Sequence, residues 1–321
     1  MNRLVITELP LRDRGPFLFA GIFSDLVLLE AELVKAGKES LVGNIYAARV
    51  KGVHQGTKSA FLSLDGVHRG FLPLTKLNGA VFTKKVSKKP LVQGEELLVR
   101  VLKDAHQNKD YSVSVKLPPS FPEEWRTAGA ETLLYREKPW YVRRLLHDPP
   151  ETYAEVVTDL PAVYEATRAL HENVRLYMDD YPLKVVYNIE GQLDRALQKK
   201  VYLGSGAFLT IEQTEGLVAV DVNSAKNTRK LEKEELLLSI NREAAKELFR
   251  QLRLRNLSGM IVCDFIHMEE KNQSTLAEEL KRMARAQTVQ TEFVDFTGLG
   301  LAEFRRKRVR RTIAEQIFEE E

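Results

Sequence analysis

Cysteine is almost absent from these 321 residues; Cys263 stands alone, inside an apolar run. One thiol cannot build an intrachain disulfide framework or a thiolate zinc site. The six histidines (His54, His68, His106, His147, His171 and His267) are scattered without zinc-ligand spacing. Net charge is scarce too. The 48 Lys and Arg nearly cancel the 45 Asp and Glu, leaving +3, so any nucleic-acid surface must come from local patches. No apolar run approaches the ~20 residues of a membrane span. The opening MNRLVITELPLRDRG has no signal-peptide core, and a soluble cytoplasmic protein is expected. Gly204-Ser205-Gly206 lacks the GK[ST] element of a phosphate loop, so no nucleotide cofactor site is expected.

Against these absences, the stretch from Phe208 to Met268 is rich. Two strand-like apolar runs each deliver an aspartate near their end, Asp221 after Gly216–Val220 and Asp264 after Met260–Cys263. Alternation puts Ala219, Asp221 and Asn223 on one strand face. Two readings stand. Strand-end aspartates commonly cap or form turns. Alternatively, two carboxylates brought together need a cation between them, and oxygen ligands suit a hard ion such as Mg²⁺ in phosphoryl chemistry. Between the two runs, Leu237, Ile240, Ala244, Leu248 and Leu252 recur at helical spacing. Acids crowd the start of this segment and arginines its end, as the helix dipole favours.

Elsewhere the chain has length enough for more than one domain. Residues 1–37 carry strand-like runs at Leu4–Thr7, Phe17–Phe23 and Leu26–Leu33, too few to bury a core alone, so they must pair with something later. Residues 38–117 read as short strands at barrel-like spacing: Val42–Val53, Ser59–Leu64, Gly70–Leu74, Glu95–Leu102 and Tyr111–Leu117. Lys84, Lys85, Lys88 and Lys89 read as a solvated loop. Pro118, Pro119 and Pro122 mark a connector. Further on, Pro161–His171 and Ile189–Leu197 have helical patterns, while Val174–Met178 and Leu183–Tyr187 look like strands. Ser274–Ala284 reads as a helix and Val289–Asp295 as a strand. The block RRKRVRR, Arg305 to Arg311, is expected within a basic helix, as a solvated tail or as a phosphate-backbone contact.

Three strings carry a resemblance: GNIYAARVKGVHQGTKSAFLSLDGVHRGFLPL, then IEQTEGLVAVDVNSAKNTR, then NREAAKELFRQLRLRNLSGMIVCDFIHM with GLGLAEFRRKR. Together they closely resemble the ribonuclease E/G family, endoribonucleases that cut single-stranded RNA to leave 5′-phosphate and 3′-hydroxyl ends. The resemblance implies an α/β multidomain fold. An OB-fold RNA-binding barrel (38–117) is inserted in a ribonuclease-H-like structural domain (1–37 and 150–205). A connector with a reduced 5′-sensor region (118–149) and a deoxyribonuclease-I-like catalytic domain (206–321) complete it.

By the same resemblance, Asp221 and Asp264 match the family's Mg²⁺-binding aspartates and Asn223 the asparagine that helps orient the attack. Phe61, Phe71 and Lys109 match positions that contact RNA; on the residues alone, Phe61 and Phe71 read first as barrel core, and the resemblance is what turns them to RNA. Arg305, Arg306, Lys307 and Arg308 are the expected phosphate contacts. The implied mechanism is metal-assisted hydrolysis. A non-catalytic RNA-binding protein on the same fold is the alternative.

There are departures. His267 stands where relatives have an acid, and is read either as a proton donor beside the scissile phosphate or as a surface residue. Gly298 stands where relatives often have a basic residue. Most of the 5′-end-sensing insertion has no counterpart, and Arg126-Thr127-Ala128-Gly129, which looks like part of its signature, sits in surroundings that do not fit. The zinc-linking CPxCxG motif does not occur, so no zinc-linked dimer is expected.

Overall fold

The computed structural model describes residues 2–11, 14–35, 37, 39–105, 109–224 and 233–318. They fall into two compact units, one of residues 1–36 and 140–320, the other of residues 37–139. The first unit opens with β1 (Asn2–Pro10), β2 (Pro16–Ser24) and β3 (Val27–Lys35), an antiparallel meander.

The second unit holds β4 (Ile45–His54), β5 (Ser59–Ser63), β6 (Arg69–Pro73), β7 (Phe82–Lys84), β8 (Glu96–Lys103), β9 (Tyr111–Ser114) and β10 (Thr132–Tyr135). β4, β5, β6, β9 and β8 pair in a ring that closes through β4–β8, a five-stranded barrel consistent with the OB-like fold expected. Val50, Ala60, Leu62, Leu72, Leu97, Val99, Val101 and Val113 fill it. Register shifts at Val50/Gly52 and Val101/Lys103 supply the local twist that lets a short sheet close. One of the four loop lysines has a structural task. Lys85 Nζ lies 2.8 Å from Glu95 Oε2, a carboxylate with no side-chain exposure. Burial pushes Glu95 up, but Lys85 and the amides of Val92, Val86 and Ser87 outweigh it and hold the carboxyl below its ordinary value.

Back in the first unit come α1 (Trp140–His147), β11 (Tyr153–Thr158), α2 (Pro161–Thr167), β12 (Val174–Leu176), α3 (Leu183–Val186) and α4 (Ile189–Leu197). β11 pairs in parallel with β1, giving the N-terminal strands the later partner they required, in the order β12-β11-β1-β2-β3. Both faces of this sheet are covered. Leu4, Ile6, Ala20 and Ile22 pack with Trp140, Tyr141 and Val163; Val5, Leu9, Phe17 and Phe19 pack with Leu183, Ile189 and Leu193. Double coverage is why these strands read as nearly unbroken apolar runs. Because α1 packs here, the segment belonging with the barrel ends at Pro139.

The run Leu183–Tyr187, expected as a strand, is helical instead. Leu183 and Tyr187 are buried whereas Val185 and Val186 are exposed, the four-residue spacing of a helix face, which so short an apolar run cannot distinguish from a strand by composition.

The chain then forms β13 (Lys200–Tyr202), β14 (Phe208–Gln213), β15 (Leu217–Asn223), α5 (Lys233–Leu254), β16 (Gly259–Asp264), α6 (Glu270–Arg285), β17 (Thr291–Phe296), β18 (Ala302–Arg306) and α7 (Ile313–Phe318). The second sheet runs β13-β14-β15-β16-β18-β17. Only one of its faces is buried: Leu209, Ile211, Val218, Val220, Ile261, Cys263 and Phe304 pack against Ile240, Ala244, Leu248 and Leu252 of α5 and Leu276 and Leu280 of α6. Alternate residues on the other face stay in water. Leu231 and Glu232, at the head of the helical pattern, lie outside the described residues, as does His106.

The basic block does not form a helix. Ala302, Phe304 and Arg306 are buried while Arg305 is exposed, a two-residue period, and β18 is held between β16 and β17. Extension sends successive arginines to opposite faces, which separates charges that a helix would crowd.

Candidate functional site

β15 and β16 are parallel neighbours, and their register pairs Asp221 with Asp264. Directly paired residues share a face, and adjacent strands lie about 4.8 Å apart. The two carboxylates are therefore side by side on the open face, both exposed. Beneath them Cys263 is fully buried; burial pushes its thiol up, and the charges of Asp264 and Asp221 push it further. That thiol is no nucleophile. Asn223, one pleat along from Asp221, donates Nδ2–H to Asp221 Oδ2 at 2.6 Å. Among the described residues neither aspartate has an ion-pair partner, and no group of three or more His, Cys, Asp or Glu side chains is arranged to hold a metal. A pair of carboxylates and an amide oxygen is a sparse donor set, the kind that suits an ion keeping several waters.

Past Asp264 the chain leaves the sheet and lines a pocket of about 140 Å³ with Phe265, Ile266, His267, Met268, Gln273, Phe296, Leu299 and Gly300. His267 is exposed there. The turn at Thr297–Leu301 forms the far wall, held by the Thr297 hydroxyl accepting from the amides of Leu299 (3.2 Å) and Leu301 (3.1 Å); Gly298 sits in it.

Sequence reasoning missed Asn241. Its side chain is fully buried in α5 and bonds both ways to Ile266, Nδ2 to the carbonyl at 2.7 Å and Oδ1 from the amide at 3.0 Å. It clamps the segment from Asp264 to His267 against the helix. The available signal was an asparagine directly beside Ile240 on the apolar stripe, where an unsatisfied amide would be costly.

Phe61 and Phe71 are register partners on β5 and β6, with ring centroids 5.8 Å apart. Both are half-buried and neither belongs to the barrel core. His54 stands edge-on to Phe61 at 5.2 Å and Arg69 lies 5.5 Å from the same ring. Lys109 is exposed just ahead of β9, whose Ser112 pairs with Phe71. Aromatic and basic groups thus share the outer surface of the barrel.

The four basic residues expected at phosphates do not behave alike. Arg305, Lys307 and Arg308 are exposed, with Arg305 on Glu292 (2.7 Å) and Arg308 on Glu315 (2.9 Å). Arg306 is a correction. It is 2% exposed, donates to the Leu257 carbonyl at 2.7 Å, and burial pulls it down to about 10; it cannot reach a phosphate from there. Arg310 is likewise committed, to Glu30 and the ring of Trp140. Arg126 pairs with Glu123 and lies over Phe121. Gly204 to Gly206 form the hairpin turn between β13 and β14. No described helix is long and apolar enough to cross a membrane.

A family model described as "Ribonuclease E/G family" matches residues 102–309. Ribonuclease E of Escherichia coli (strain K12) is 26% identical over 375 residues, covering 90% of this chain and 35% of that protein. Ribonuclease G of Salmonella typhimurium (strain SL1344) is 24% identical, covering 97% of this chain and 80% of that protein. Ribonuclease E of Nostoc sp. is 40% identical over 140 residues, 43% of this chain and 20% of that protein. The chain thus spans about a third of the length of the Escherichia coli ribonuclease E. The aligned span of 375 residues exceeds the chain's 321, so the relatives carry internal residues that this chain lacks.

Proposed function

Since the chain belongs to the ribonuclease E/G family, we propose that it is a Mg²⁺-dependent endoribonuclease. In this reading it cleaves single-stranded RNA to 5′-phosphate and 3′-hydroxyl products in RNA processing or decay. The single observation that carries the reading is the pairing of Asp221 with Asp264 in register on an open sheet face. Two like charges set side by side repel unless a cation lies between them. The first sheet with its two helical layers reads as the ribonuclease-H-like structural part, and the second, with α5 and α6 behind it, as the deoxyribonuclease-I-like catalytic part.

Asp221 and Asp264 would hold the ion, with the Asn223 oxygen beside it. Bound there, Mg²⁺ supplies Lewis-acid chemistry: it acidifies water and neutralises charge developing on the scissile phosphate. Asn223 fixes the Asp221 carboxylate through its amide hydrogen. Asn241 holds the Asp264 segment at the right depth. His267, beside Asp264 in the pocket wall, hands a proton to the departing 3′ oxygen. The test is incubation of a labelled, unstructured oligoribonucleotide with and without Mg²⁺, with end-group analysis. Cleavage only with Mg²⁺, giving 5′-phosphate ends, is expected; RNA that is bound but never shortened would make the chain a binding protein.

The barrel reads as the RNA-holding module. Replacing Phe61 or Phe71 by alanine is expected to weaken binding of a single-stranded oligoribonucleotide by about 1–3 kcal/mol, one stacked base each. The melting of the barrel should change little, because neither ring is in its core. Titration by anisotropy beside a thermal melt checks both halves; unchanged affinity would remove these rings from the RNA surface.

RNA affinity is expected to fall steeply with salt. Changing Arg305, Lys307 and Arg308 together to alanine should reduce the slope of log K against log salt by up to about 2, at roughly 0.7 for each phosphate no longer neutralised. An unchanged slope would make the exposed basic residues bystanders. Arg306 is left out of the set because its guanidinium is buried.

A further inference from the structure

The open face of the second sheet carries an aromatic cluster beside the carboxylates. Phe208 on β14 is the register partner of Tyr202 on β13 and of Asn223 on β15. The Tyr202 and Phe208 ring centroids are 6.0 Å apart and tilted by 53°, and Lys200 Nζ sits 4.7 Å from the centre of the Phe208 ring. Tyr202 is 74% exposed, while Leu203 beside it is buried in the core. Tyr202 therefore adds little to the packing of the sheet. A large exposed ring, a second ring and an ammonium gathered on one face are what a stacking platform needs.

We propose that Tyr202 and Phe208, with Lys200, form a base-stacking subsite for a nucleotide that flanks the scissile phosphate. Single-stranded RNA then crosses the open face over β14 with its phosphate at Asp221 and Asp264; the inference rests on the function proposed for those two residues. Three features lead there. Phe208 is one strand, about 4.8 Å, from Asn223, and Asn223 is hydrogen-bonded to Asp221, so a base on Phe208 leaves its own phosphate beside the carboxylates. Every base has a π face, so the subsite accepts RNA irrespective of sequence. A duplex hides those faces by stacking, so the subsite selects single strands by its chemistry. Lys200 polarises the platform and offers a cation to the backbone.

The test compares wild type, Tyr202→Ala, Tyr202→Phe and Phe208→Leu on a short unstructured oligoribonucleotide, and on a series in which one nucleotide at a time is abasic. Affinity is measured in parallel by anisotropy with the full chain. Tyr202→Ala is expected to raise KM on the order of 10-fold, with kcat nearly unchanged. Tyr202→Phe keeps the ring and should match wild type. Phe208→Leu should show the larger effect, and a thermal melt verifies that it is folded. One abasic position next to the cut should cost wild type about the same factor and cost Tyr202→Ala nothing more. If Tyr202→Ala binds and cuts like wild type, or loses as much as wild type at every abasic position, the subsite is refuted. Should wild type bind RNA without cutting it, the proposed function fails, while the affinities of the same variants and abasic strands still decide the subsite.

Discussion

Asp221→Asn and Asp264→Asn are each expected to lower the rate of RNA cleavage by at least ~1,000-fold while the chain stays folded. The size follows from what is removed. Each carboxylate is half of the protein's charge at the proposed ion site, and ~1,000-fold corresponds to about 4 kcal/mol of transition-state stabilisation, in the range that positioned charge and an activated water supply. Folding is spared because both side chains stand in water on the uncovered face. Their neutralisation also removes a repulsion between register partners, so the melting temperature should stay level or rise slightly. Single-turnover cleavage at saturating Mg²⁺, with circular-dichroism melts of the same samples, reads both quantities. Residual cleavage within tenfold of wild type for either variant would sink the assignment. Unfolding would return these aspartates to the role of strand-end caps.

The second large effect is on stability and falls far from the carboxylates. Glu30 on β3 is 5% exposed and takes Arg310 on one oxygen and Arg144 (3.2 Å) on the other. Those arginines are themselves mostly buried and flank the ring of Trp140 at 4.6 and 5.6 Å. Glu30→Gln takes from two buried guanidiniums the carboxylate they share, leaving Arg144 with Asp148 (2.7 Å) and Arg310 with the more distant Glu32 (3.9 Å). Breaking a buried ion pair from one side costs about 3–5 kcal/mol, against at most ~1 for an exposed bridge. Urea unfolding followed by Trp140 fluorescence, with Trp125 changed to phenylalanine to silence the other indole, isolates this unit. Replacing Glu30, Arg310 and Arg144 together by apolar residues should recover much of the loss, since the cost lies in the stranded charge. A loss under ~1 kcal/mol for Glu30→Gln would show that water reaches the cluster.

That cluster also shows where reading residues in a row fails. RRKRVRR looks like one basic surface, yet Arg306 and Arg310 are structural and Arg305 and Arg308 have carboxylate partners. Those partners come from Glu292, Glu315 and Glu30, up to 280 residues away, and no local pattern records them. Leu183–Tyr187 failed for a related reason: so short a run, apolar but for Lys184, suits a strand or one helical turn, and only the layer it packs against decides.

By itself, the sequence determined what depends on period and residue chemistry. The two-residue period around Asp221 assigned it and Asn223 to one face, the three-and-four spacing of Leu237, Ile240, Ala244 and Leu248 made α5, and strand spacing foretold the barrel. Cys263 was set aside as lone and apolar, and burial agrees. Tertiary structure alone decided which faces stay open. The parallel register of β15 and β16 sets Asp221 against Asp264, the placing of both helices on one side leaves that face to water, and the β13–β14 hairpin brings Tyr202 and Phe208 beside it. Register and layer order are long-range choices, made by the burial of whole faces, and residues near in sequence carry no record of them.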